Sequence, residues 1–204
     1  MENYLMVNGK KIPLTEEQVA QITGGQEKKD EKVALEKLNP GDAFRIGACE
    51  FLVLEQEGET TAVIKKDFLV AEAEFGENNN YEGSSVEKVC DRFGVEIAEI
   101  IGAENMVEHT VDLTADDGLK DYGKVKRRMS LLTADLYRRH VEILDAHKVD
   151  GWWWLATPYS TKKHGHSTAV KCVAPSGNVY YVGYYNGGGV RPFCILKSNI
   201  FVSV

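Results

Sequence analysis

Asp and Glu are missing from the whole of residues 151–204, although the chain as a whole is acidic, with 31 Asp and Glu against 24 Lys and Arg and a net charge of −7. That final stretch carries only the cations Lys162, Lys163, Lys171, Arg191 and Lys197. Long apolar runs are also lacking. The longest, Trp152 to Ala156, falls far short of the roughly 20 residues that span a bilayer, which excludes membrane insertion by a helix. MENYLMVNGKK has no basic, apolar and small-residue succession, so no signal peptide is read, and a cytoplasmic or particle-associated protein is expected. The four cysteines, Cys49, Cys90, Cys172 and Cys194, make no CxxC pair; buried thiols are expected rather than zinc or a dithiol site. GxSxG, HExxH, P-loop and GxGxxG patterns are absent, so no catalytic residue is assigned and no cofactor is expected. A net acidic chain is a poor general binder of nucleic acid, and the short basic run Lys124, Lys126, Arg127 and Arg128 would be divided between two faces by strand alternation.

What is present divides the chain into an appendage, a linker and a domain. Tyr4–Val7 and Lys10–Leu14 flank Asn8-Gly9, a dipeptide suited to a type I′ hairpin turn. Thr15-Glu-Glu-Gln18 is a capping box that predicts a short helix to about Ile22. Residues 1–22 thus read as a hairpin-helix appendage, a candidate surface for homo-oligomer contact. The glycine and charge of residues 23–32 read as a linker.

From residue 33 the pattern predicts an α+β domain to residue 204. Residues 43–46, 50–56 and 60–65 read as a meander, with 68–75 as its continuation. Ser84-Ser-Val-Glu87 caps a helix with Val86, Val89, Cys90 and Phe93 on one stripe. Thr133 caps a second, with Leu136, His140, Val141 and Leu144 sharing a face. Beyond Gly151 only strands are read, with a hairpin over Pro175-Ser-Gly-Asn178 and a hinge or tight loop at Gly187–Gly189.

The segments Gly151-Trp-Trp-Trp-Leu-Ala-Thr-Pro158 and Gly189-Val-Arg-Pro-Phe-Cys-Ile-Leu-Lys197 resemble the paired C-terminal signature, WWLRSP and GVRPAL, of a bacterial domain of unknown function. Asn79-Asn80-Tyr81, the Ser84 helix and Ser130–Thr133 are similar to that family's middle, so the likeness spans roughly residues 40–204. Ala156-Thr157 and Phe193-Cys194 depart from the family's Arg-Ser and Ala-Leu. The resemblance implies a C-type-lectin-like fold, shared with formylglycine-generating enzymes and phage receptor-binding proteins. It also implies a Gram-positive bacterial, phage or prophage setting.

Several side chains are singled out. Arg191, between Val190 and Pro192, is expected to be semi-buried and to need a carboxylate; Asp112, Asp150 or Asp135 is expected to supply it. Strand alternation points Trp152 and Trp154 one way, into the core, and Trp153 the other, as a stacking platform. Tyr159–His166 (YSTKKHGH) is a polar, cationic loop of the kind that meets ligands. Trp153, Tyr159, Lys163, His164, His166, Tyr184 and Asn186 are therefore the expected ligand-binding residues. No metal is expected at His164 and His166, because no acid lies nearby in sequence. Asp112–Gly118 lacks EF-hand spacing and reads as a solvated turn. The functional expectation is a non-enzymatic, metal-independent recognition domain for carbohydrate or another cell-surface ligand. The alternatives are a phage structural protein assembling through residues 1–22 and a lectin-fold cysteine oxidase.

Overall fold

The computed structural model describes residues 4–7, 10–15 and 31–204, and the chain falls into two units, Met1–Glu31 and Lys32–Val204. In the first, β1 (Tyr4–Val7) pairs antiparallel with β2 (Lys10–Pro13), with Val7 opposite Lys10. The Asn8-Gly9 turn, the helix read to Ile22 and most of the linker lie outside the described residues.

The second unit is mixed and strand-rich. Its larger sheet holds β3 (Lys32–Ala34), β4 (Ala43–Ile46), β5 (Cys49–Glu57), β6 (Thr60–Lys65), β8 (Met106–Val107), β11 (Met129–Ser130), β16 (Phe193–Lys197) and β17 (Phe201–Ser203). The order is β11-β16-β6-β5-β4-β17-β3, with β8 also paired to β16. The meander β4-β5-β6 forms as its turn residues require; Gly58, at φ +57°, makes the tight β5–β6 connection. In β5, Phe51 and Val53 enter one apolar cluster while Leu52 and Leu54 enter another. A strand buried on both faces reads as an unbroken apolar run, which is why FLVL shows no alternation.

The second sheet has the order β14-β13-β12-β15-β7, from β14 (Val179–Gly183), β13 (Ala169–Val173), β12 (Trp153–Pro158), β15 (Gly187–Val190) and β7 (Val70–Glu74). The strand read as continuing the meander, β7, instead leaves it and pairs with β15. Gly187–Gly189 is strand, not hinge. A Cβ on Gly188 would lie 2.8 Å from the Trp154 ring and one on Gly189 2.5 Å from Phe68, so glycine is needed where two aromatic rings lie on the backbone. A two-stranded ribbon, β9 (His109–Asp112) with β10 (Lys124–Arg127), completes the strands.

Helix α1 (Ser85–Ile101) starts where the capping box predicts: the Glu87 amide donates to the Ser84 hydroxyl, and the Glu87 carboxylate accepts from the Gly83 amide. Val86, Cys90, Phe93 and Ile97 bury its inner face. Thr133 likewise caps α2 (Ala134–Arg139) by accepting from Leu136 N. The single helix read there breaks at His140, and α3 (Val141–Ala146) follows. Val141 is consequently exposed, and Tyr137 with Leu144 carries the buried face.

The three tryptophans settle differently from the reading of alternation. Trp154 is buried and its indole donates to Ala73 O at 2.8 Å, as a core role requires. Trp153 faces the other cluster, edge-on to Tyr137, and is only 3% exposed; it cannot serve as a ligand platform. Trp152, expected in the core, precedes β12 and is 41% exposed, with Tyr180 edge-on to its ring. A strand with cores on both faces, as β12 has, leaves no wet side for alternation to find. No helix among the described residues is long and apolar enough to cross a membrane.

Candidate functional site

Three segments meet around the loop after β12, and a buried asparagine holds them together. The Asn79 amide donates to Ser160 O at 2.8 Å and Ala169 O at 2.9 Å, while its carbonyl accepts the Tyr122 hydroxyl at 2.7 Å. Fully buried, it uses every polar atom to tie residues 160–169 to the loop between β9 and β10. Thr161, also fully buried, donates to Asp121 at 2.7 Å, and Asp116 N donates to Pro158 O.

The result is an acid-to-cation seam that supplies the C-terminal quarter with the carboxylates its sequence lacks. Asp117 Oδ2 accepts from Ser160 Oγ at 2.6 Å and lies 3.0 Å from His164 Nδ1. The Ser160 hydroxyl, then His164, hold the Asp117 carboxyl below its ordinary range. A carboxylate only accepts, so the proton of neutral His164 sits on Nδ1 and Nε2 is left as an acceptor. Asp116 takes Lys171 Nζ at 3.0 Å on one oxygen and Arg138 at 3.2 Å on the other. Lys171 also lies 6.0 and 5.9 Å from the ring centroids of Tyr159 and Tyr181, which stack on each other at 4.1 Å.

Between these groups lies a concavity of about 240 Å³ lined by Asp116, Asp117, Tyr159, Ser160, His164 and His166. Asp116 also lines a neighbouring depression of about 440 Å³, where the hydroxyl-bearing residues Thr110, Thr114, Thr133 and Thr157 meet Arg138 and Arg139. A larger groove of about 740 Å³ runs between α1 and β10–β11, where Val95, Ala98 and Met106 lie beside charged side chains that pair among themselves, Lys126 with Glu108 and Arg127 with Glu87.

Of the residues expected to bind ligand, Tyr159, His164 and His166 line this concavity. Lys163 is exposed on the short turn Lys162–His164 outside its lining, and Trp153 is core. Tyr184 is half-buried and spends its backbone on Thr168 and Phe75; Asn186 closes a turn onto Gly183 O. Those two belong to the end of β14, not to the site. Asp116, Asp117, Ser160, Lys171 and Asn79 were not singled out. The available signal was Asp112–Asp121, the acid-rich stretch that a cationic, acid-free segment needs for charge balance.

Arg191 departs from its expected pairing. It is 1% exposed, yet its Nε donates to Lys65 O at 2.9 Å, a terminal nitrogen lies 3.5 Å from His147 O, and the guanidinium sits 5.3 Å from the Trp153 ring centroid. Burial pulls its pKa down to about 10, so it stays charged. Asp112 is taken by Lys124 at 2.7 Å, which with Thr114 holds its carboxyl at about 2. Asp135 pairs with Arg138, and Asp150 is exposed before Gly151. The direct contacts of the clamp are therefore carbonyls and an indole face, and the negative charge that favours the guanidinium comes from Asp67 rather than from Asp112, Asp135 or Asp150.

Burial also decides the thiols. Cys90, Cys172 and Cys194 are buried, and desolvation pushes them up to about 12, 11 and 12. Such thiols stay protonated and are poor nucleophiles. Among the described residues no group of three or more His, Cys, Asp or Glu is placed to hold a metal ion.

Fold and site together define a strand-rich α+β domain whose surface loops build a polar, aromatic-flanked concavity. The chain belongs to the family described as Domain of unknown function (DUF6273), whose model matches residues 56–198. That agrees with the unknown-function domain expected from the tryptophan and GVRP segments. Comparison with curated proteins and with solved structures gives no match.

Proposed function

We propose that residues 32–204 form a metal-independent recognition domain for a polar, hydroxyl-rich ligand of the carbohydrate class, without enzymatic activity. The observation that carries the reading is the concavity beside Tyr159–His166, where Asp117, Ser160, His164 and His166 converge within the lining. Carboxylate, hydroxyl and imidazole groups suit a ligand that both donates and accepts hydrogen bonds. The half-exposed Tyr181 ring, stacked on Tyr159, offers an aromatic face close by. The C-type-lectin-like architecture and the bacterial or phage setting implied by the resemblance are part of this proposal. They suggest a cell-surface glycan as the natural ligand.

The test is an array of neutral and acidic oligosaccharides probed with the full chain in the presence of a chelator. The expected result is retained binding by the wild type, and at least about a tenfold loss in Asp117→Asn and in His164→Ala. Binding abolished by the chelator, or variants that bind as the wild type does, would reject the site. The rival assembly reading through residues 1–22 predicts no glycan binding at all.

A further inference from the structure

The concavity of about 240 Å³ beside Tyr159–His166 is small for a ligand site, since pockets that enclose small molecules start at roughly 300 Å³. Asp116 also lines the depression of about 440 Å³ next to it, with Lys171 on one carboxylate oxygen and Arg138 on the other. The two hollows differ in chemistry. The first offers acceptors, the Asp117 carboxylate and His164 Nε2. In the second, Thr133 and Thr157 are 8% and 5% exposed. Each hydroxyl oxygen accepts a backbone amide, from Leu136 N at 3.2 Å and from Ala134 N at 2.9 Å, and among the described residues neither hydroxyl hydrogen has an acceptor. Two buried hydroxyls thus line the depression, each with an unspent donor. The buried Ala115 and Ala134 and the half-buried Leu136 add apolar surface to the same lining. Its charges are mixed: Asp112 is held by Lys124, while Asp116 and Asp135 share Arg138.

We infer that this depression is a second subsite that takes the acetamido group of an N-acetylated sugar, so that the ligand is at least a disaccharide lying across Asp116; this rests on the glycan reading of the neighbouring concavity. An acetamido group matches the lining feature by feature. Its carbonyl accepts from the Thr133 and Thr157 hydroxyls, its methyl suits the alanines and Leu136, and its N–H suits a carboxylate at the rim. A uronate would meet three carboxylates, Asp112, Asp116 and Asp135. A free amino sugar would face Arg138 and Arg139 and leave both hydroxyl donors unanswered.

Calorimetric titration of the full chain with matched disaccharide pairs tests the subsite. The members of a pair differ only in 2-acetamido against 2-hydroxyl groups, as N,N′-diacetylchitobiose and cellobiose do, and both α and β linkages are sampled. The acetamido member should bind at least about tenfold tighter, the worth of two hydrogen bonds and a buried methyl. Thr157→Val, which keeps the shape and removes the donor, should erase that preference, and Thr157→Ser should keep it. Thr157 also holds Ala134 N, so if the valine variant fails to fold, Leu136→Gln takes its place; it makes the methyl's surface polar and should erase the preference too. Asp117→Asn should weaken both members alike. Equal binding of the two members in every pair, a preference that survives the substitutions, or tighter binding of a uronate-bearing sugar overturns the second subsite and leaves the concavity its glycan. Binding of no sugar at all overturns both.

Discussion

Lys171, on β13, and Arg191, between β15 and β16, both lose most of their water on folding, being 7% and 1% exposed. Lys171 reaches a carboxylate, Asp116, at the rim of a solvent-facing concavity. Arg191 is enclosed among Trp153, Tyr137 and Leu144, where it contacts backbone oxygens and an indole face while Asp67 adds a favourable charge. The two cations come from the same acid-free quarter, and the difference lies in the ground each occupies. Where the chain borrows acids from residues 112–121, it builds an adaptable polar surface. Where it borrows carbonyls, it seals a core. The planar guanidinium suits the second task because it can donate in several directions at once and lie on a ring, which an ammonium cannot.

The sharpest way to break the comparison is to remove each cation. Arg191→Ala should cost about 3–5 kcal/mol in urea unfolding, since it strips two part-buried carbonyls of a donor and leaves a void beside Trp153. Lys171→Met should cost only about 1–2 kcal/mol, because Asp116 keeps Arg138 and some solvent. Equal costs, or the reverse order, would remove the distinction. His109 extends the sealed side. It lies edge-on to Phe193, bonded through Nε2 to Ser130, with Nδ1 unpartnered, and burial lowers its pKa from 6.5 to about 4. The unfolded chain therefore binds the extra proton first. Stability from His109 is complete above pH 6.5 and falls by up to about 3 kcal/mol as the pH drops to 4. Unfolding midpoints at pH 7 and pH 4 check this, and His109→Gln should shrink the loss in that window to what remains from His140, whose pKa burial also lowers. The loss from Asp112 comes lower, between 3.8 and about 2.

On the open side, Asn79→Ala should cost about 2 kcal/mol and weaken ligand binding, because Ser160 O, Ala169 O and the Tyr122 hydroxyl all lose their partner. A stability loss with unchanged binding would mean the loops hold their arrangement without the pin. The smallest effect concerns the thiols. In the native protein a disulfide reagent should modify at most Cys49, the half-buried one, with Cys90, Cys172 and Cys194 reacting only on unfolding. Rapid labelling of any of those three would reopen cysteine chemistry.

The sealed region was the less legible of the two in its details and the more legible in outline. Local signals were reliable: Ser84 and Thr133 cap their helices through the hydroxyls the sequence offers, and the hairpin over Pro175–Asn178 forms as its turn residues require. Failures came where distant segments meet. Two-sided burial removed the alternation needed to sort Trp152 from Trp153, and the parallel pairing of β12 with β15 has no local mark. The loop Tyr159–His166 could be noticed for its composition. Its partners Asp116 and Asp117 could not be assigned, because a solvated acidic turn and a site-forming one look alike until Asn79 is seen to tie them together.

The most direct test of the account is an amide chemical-shift titration of the full chain with an oligosaccharide that scores on the array. The account predicts shifts concentrated at Asp116–Leu119 and Tyr159–His166, saturating with one affinity and unchanged by a chelator, while residues around Arg191 stay still. Shifts centred on the groove between α1 and β10–β11, or none at Tyr159–His166, would contradict it.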